Sequence, residues 1–208
     1  MKVWDLATRL YHWAQAGLFV GLMASGFNGN GPHVQLGLVL FTLLVWRIVW
    51  GVIGSETSRF RQFLRSPKTV VLYLLGRQPE AAGHNPAGGW MVMIMISALL
   101  LQCISGLALA GLLDGLPLAQ YWLTDGLFSA LESIHFGLVN LLPVMIGLHV
   151  GAVLFYKLRG KPLTKAMITG IQLRLTDSVS VKFVSQLRAF LMLVVSASVT
   201  MAIIAFSS

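Results

Sequence analysis

The sequence has 208 residues, 56% of them hydrophobic and 11% charged, with a mean hydropathy of +0.78. A soluble domain carries about 25% charged residues, so this composition excludes a water-soluble globule. The formal charge of +8 would suggest nucleic acid in a soluble protein. Here the cations cluster between apolar runs, which marks topology and anionic lipid rather than nucleic acid.

Five apolar runs, near 10–27, 34–54, 88–112, 136–156 and 190–206, are each long enough to cross ~30 Å of hydrocarbon. Lys2 and Arg9 flank the first run, and no small-residue cleavage site suggests a removable signal. That run closes in Phe27-Asn28-Gly29-Asn30-Gly31-Pro32, a turn without Lys or Arg. The second run feeds a segment holding Arg59, Arg61, Arg65, Lys68 and Arg77, in which 64–75 is expected to form a short helix on the membrane surface. The third run follows Gly83 to Pro86. The stretch 111–132 lacks Lys and Arg, holds Asp114, Asp125 and Glu132, and suits the headgroup region; the fourth span is expected to begin near Ser133. Lys157, Arg159, Lys161, Lys165, Arg174, Lys182 and Arg188 follow it, and 190–206 forms a fifth span despite Ser196, Ser198 and Thr200. Cytoplasmic loops concentrate Lys and Arg. This predicts a multi-pass protein of a bacterial inner membrane with its N-terminus in the cytoplasm. The single cysteine, Cys103, excludes an internal disulfide and the C-x-x-C-H attachment of c-type haem.

Ionisable residues inside spans are functional candidates, and four of the five histidines fall there or at span ends. His135 and His149 are 14 residues apart. That separation leaves both on nearly one face of the fourth span, ~21 Å apart along its axis. Topology puts His12 level with His149 on the inner side, and His33 level with His135 on the outer side. Two facing imidazole pairs between helices suit bis-histidine ligation of b-type haem. Zinc normally needs four converging ligands, and a proton relay would need acidic residues within the spans. Gly17, Gly37, Gly147 and Gly151 either make room for a flat macrocycle or serve helix packing. Arg47, between Trp46 and Trp50, either snorkels or binds a haem propionate, and Arg9 carries the same two readings. His84, before Asn85-Pro86, is expected to be solvated or to face headgroups; it is the substitute ligand should His12 not serve.

The opening Val3-Trp4-Asp5-Leu6-Ala7-Thr8-Arg9-Leu10-Tyr11-His12-Trp13 resembles the bacterial di-haem cytochrome b family, which includes the Ni,Fe-hydrogenase cytochrome b subunit and bacterial cytochrome b-561. Further matches are His33-x-x-x-Gly37, Arg47-x-x-Trp50-Gly51, the segment 54–63, Gly83-His84-Asn85-Pro86, His135, His149 and Lys165-Ala166-Met167-Ile168-Thr169-Gly170. The resemblance covers 3–170. It implies an all-α, integral membrane four-helix bundle with two b haems on His12, His33, His135 and His149. Residues 1–170 would form this domain, and 171–208 a basic segment and C-terminal transmembrane helix. It also implies exchange with quinone at the inner haem, with Asn85 and Gly88 at the quinone site. Phe136 departs from the family pattern, since many relatives have Glu there.

The function expected is transmembrane electron transfer between the quinone pool and a redox partner outside. That partner is a periplasmic cytochrome c or a dehydrogenase- or hydrogenase-type subunit. A stand-alone superoxide:quinone oxidoreductase is the alternative within the class. A haem-free metal-relay transporter is the rival outside it.

Overall fold

The computed structural model describes residues 1–77, 82–172 and 180–207; Arg174 of the basic segment lies outside them. Among the described residues there is no strand, only an isolated antiparallel bridge between Lys2 and Ile171. Four helices are long and apolar enough to cross a membrane: α2 (His33–Ile53), α5 (Pro86–Leu109), α7 (Asp125–Leu158) and α9 (Gln186–Ser207). α1 (Leu6–Asn28) has 23 residues, ample length at 1.5 Å per residue. It is more polar than those four because it carries Thr8, Arg9, His12 and Gln15.

The helix ends follow capping chemistry. Asp5 caps α1 by accepting from the Thr8 N–H at 2.6 Å, and Gly29, at φ 63°, ends it in the left-handed conformation a side chain would resist. Thr124 caps α7 through the Leu127 N–H. The helix that carries the fourth apolar run therefore starts at Asp125, not near Ser133, because the cap and the apolar turn after it extend it. α7 runs 34 residues through Pro143. The surface helix expected at 64–75 is present as the shorter α4 (Pro67–Leu74), after α3 (Phe60–Phe63). The short α6 (Ala119–Trp122) lies between α5 and α7, and α8 (Leu163–Thr169) follows α7.

α2 is the centre of the bundle, packing against α1, α5 and α9, while α7 packs chiefly on α5. Leu40, Phe41 and Leu44 of α2, Leu99 and Leu107 of α5, and Leu138 and Leu142 of α7 share one buried cluster. α1 and α7 make little backbone contact, yet His12 of α1 and His149 of α7 stand side by side. Two polar residues of α9 turn inward, as expected where hydrocarbon offers no hydrogen bonds, whereas Ser198 is exposed and bonds its own helix. Ser196 and Thr200 are buried, and the Thr200 and Thr42 hydroxyls are 2.7 Å apart. The ends of the segment that resembles the family also meet, since the Val3 N–H donates to the Gly170 carbonyl at 2.8 Å.

Candidate functional site

Helices α1, α2 and α7 bring the four predicted histidines together in two pairs. At the end where the N-terminus lies, the His12 and His149 rings have centroids 6.4 Å apart, with planes at 52°. At the opposite end the His33 and His135 centroids are also 6.4 Å apart, at 79°. A metal–imidazole bond is ~2.0–2.1 Å and the ring centre lies about 1.1 Å behind the nitrogen, so two rings opposed across one ion have centroids about 6.3 Å apart. Both pairs meet that spacing. No three His, Cys, Asp or Glu side chains come together among the described residues. Two protein ligands suit an iron whose other four positions a porphyrin fills, and do not suit structural zinc.

The opposite-end pair is held by hydrogen bonds whose geometry favours a proton on Nδ1. Ser25 donates its hydroxyl proton to the Leu22 carbonyl at 3.2 Å, so at 3.0 Å its oxygen accepts from His33 Nδ1–H. Ser105 likewise donates to the Gln102 carbonyl at 3.0 Å and accepts from His135 Nδ1–H at 3.1 Å; that carbonyl is itself 3.1 Å from Nδ1. With the proton on Nδ1, Nε2 of each ring presents a lone pair. The Gln102 amide donates to His135 Nε2 at 3.2 Å, a place that a metal bond would take over. Gly26 and Gly106 let the rings in close: a Cβ there would lie 3.2 Å from His33 Cε1 and 3.0 Å from His135 Cε1.

Around the other pair the polar groups are unsatisfied. Tyr11 OH, His12 Nδ1, Gln15 Oε1 and His84 Nδ1 are buried without hydrogen-bond partners, and Gln102 Oε1 is a fifth such atom. Buried polar atoms are nearly always paired, so this cluster fits a polar ligand such as a propionate-bearing ring. Room is present too, since a Cβ at Gly17, Gly37, Gly147 or Gly151 would meet no atom within 4 Å.

Arg47 is 3% exposed. It donates to the Ser58 carbonyl at 3.2 Å and its guanidinium stands 5.0 Å from the Phe60 ring centre. It does not snorkel, and among the described residues it makes no hydrogen bond to a carboxylate. The nearby acid, Asp5, is occupied with Thr8, Trp50 Nε1 at 3.2 Å and Ser58 Oγ at 3.5 Å. Arg9 is tied to backbone, donating to the Asp5 carbonyl at 3.3 Å and to the Ile168 carbonyl. Asn85 Oδ1 accepts from the Gly88 N–H at 2.7 Å, capping α5, which gives both residues a structural task. His84 corrects an expectation. It is not solvated; its ring packs 4.7 Å from Trp4 and 4.6 Å from Phe63 between ring centres. Burial, with the Arg47 charge second, holds its pKa down to about 3.

Sequence reasoning missed Ser25-Gly26, Ser105-Gly106 and Gln102. The repeated Ser-Gly pair was visible, but only the packing of α1 and α5 beside the two histidines connects it to them.

A bundle with two histidine pairs stationed at its two ends and a buried arginine in its interior defines a membrane cytochrome b. The family model described as prokaryotic cytochrome b561 matches residues 3–170. The chain belongs to the prokaryotic cytochrome b561 family, and its work is electron transport through the membrane on b-type haem. Searches of curated proteins and of solved structures return no match.

Proposed function

We propose that the chain is a conduit with two b haems, one between His12 and His149 and the other between His33 and His135, joining the quinone pool to a redox partner across the membrane. The observation that carries this reading is the equal 6.4 Å spacing of the two ring pairs, with His135 and His149 on the single helix α7. Haem supplies a one-electron carrier at each pair. The histidines ligate it, and the open faces at Gly17, Gly37, Gly147 and Gly151 accommodate its edge. Arg47 gives a propionate its missing partner, and a charge-assisted bond there relieves the burial of the cation. Two stations divide a ~30 Å crossing into shorter transfers.

The excess of Lys and Arg at the His12–His149 end supports the reading that this end faces the cytoplasm of a bacterial inner membrane. Quinone exchanges electrons there; Asn85, whose amide nitrogen is not used in capping, and Gly88 lie at the mouth of α5 on that side. At the opposite end Asp114, Asp125 and Glu132 are exposed. This acidic face favours a basic redox protein, such as a periplasmic cytochrome c or a dehydrogenase-type subunit, over the superoxide anion.

The test is pyridine haemochrome on the purified chain and its histidine variants. Two haems b per chain are expected, falling to one in His12→Ala or His149→Ala and to one in His33→Ala or His135→Ala. A chain without haem, or with haem indifferent to both pairs, overturns the reading.

A further inference from the structure

The surroundings of the two histidine pairs differ in a way that bears on redox potential. At the acidic end each ring is seated on a Ser-Gly dipeptide of the neighbouring helix: Ser25-Gly26 of α1 beneath His33, and Ser105-Gly106 of α5 beneath His135. Both serines are buried, and both pass their own proton to a carbonyl three residues back. A hydroxyl already donating is a better acceptor, because successive hydrogen bonds polarise one another. An Nδ1–H given to such an acceptor makes the imidazole a more basic ligand. A more basic ligand favours the ferric state and lowers the potential.

At the basic end the opposite holds. His12 Nδ1 has no acceptor, and His149 makes no hydrogen bond among the described residues. A buried cation stands at the same level: Trp46, next to Arg47, packs 5.5 Å from the ring of Tyr11, the neighbour of His12. Positive charge in a medium of low dielectric favours the reduced state, which carries one positive charge fewer.

We propose that the two Ser-Gly seats are positioning elements that fix the acidic-end ligands in the Nδ1–H tautomer and hold that haem at a lower potential than the haem at the basic end. This rests on the two-haem reading above. Its consequence is a slope: an electron given up by the partner at the acidic face moves downhill towards the quinone at the basic face.

The test is potentiometric titration of the α-band in the purified, haem-loaded chain. Two waves are expected, and His33→Ala abolishes the lower one. Ser25→Ala and Ser105→Ala move the lower wave upward and leave the higher one in place, whereas Ser105→Thr, which keeps the hydroxyl, restores the wild-type value. Loss of the acidic-end haem in Ser105→Ala but not in Ser105→Thr also supports the seat. A lower wave that ignores both serines, a His33→Ala variant that loses the higher wave, or haem loss in both Ser105 variants overturns the proposal while the two-haem reading stands. A wild-type chain that takes up no haem fails the two-haem reading itself.

Discussion

The indole N–H of Trp46, in the middle of α2, is given to the Ala189 carbonyl of α9 at 2.9 Å. This bond, with the Thr42–Thr200 pair, fastens a helix outside the family match to the helix at the centre of the bundle. Interhelical hydrogen bonds between side chains in membranes average ~0.6 kcal/mol in double-mutant cycles. A Thr42→Val/Thr200→Val cycle, read by unfolding in detergent and denaturant, is expected to give a coupling of about that size. Zero coupling would mean that the two hydroxyls do not bond.

The glycines divide into two kinds, which substitution separates. A side chain at Gly106 meets His135 Cε1 at 3.0 Å, so Gly106→Ala displaces the ring and is expected to lose the acidic-end haem. An ideal Cβ at Gly37, one turn after His33 on the same face of α2, meets no atom within 4 Å. Under the two-haem reading, Gly37→Leu is therefore expected to reach wild-type expression and helicity by circular dichroism, yet bind less haem.

His84 gives the fold a pH dependence of definite sign. An unfolded histidine titrates near 6.5, whereas the buried ring is held to about 3. Between those values the unfolded chain binds a proton that the folded chain refuses. The neutral-ring contribution is therefore complete above pH 6.5 and is lost as pH falls towards 3. At pH 5 the loss is up to about 2 kcal/mol. Melting curves at pH 7 and pH 5 should differ more for the wild type than for His84→Gln; equal differences would refute the burial argument.

Arg47→Gln removes a buried charge that, among the described residues, makes no hydrogen bond to a carboxylate. The fold is expected to tolerate it, since relieving the burial of a charge offsets the lost bond to Ser58. The potential of the basic-end haem should fall, by roughly 60 mV for every 1.4 kcal/mol of lost preference for the reduced state. Redox titration of the variant measures this, and an unmoved wave would place the guanidinium too far away to matter.

The apolar spans were legible from run length, and the facing of the histidine rings from helical periodicity. Fourteen residues bring His135 and His149 back to one helix face, and the Lys and Arg distribution sets which histidines share a depth. The fifth span was legible from apolar length alone, although its buried Ser196 and Thr200 weakened the pattern until packing on α2 explained them. The fate of His84 was not legible. Its neighbours Trp4 and Phe63 are distant in sequence, and the fold brings them there through the contact of Val3 with Gly170. The start of α7 was misjudged because the polar turn around Asp125 resembles a loop until Thr124 is seen to cap it.

α7 has 34 residues, a rod of ~51 Å at 1.5 Å per residue against a hydrocarbon slab of ~30 Å. The surplus is ~21 Å, about four turns, and exposed Asp125 and Glu132 sit on the first turns of the same rod that carries His135 and His149. Under the two-haem reading, one continuous helix therefore sets the distance between the two ring pairs, and a substitution that bends it at Pro143 shifts one pair against the other.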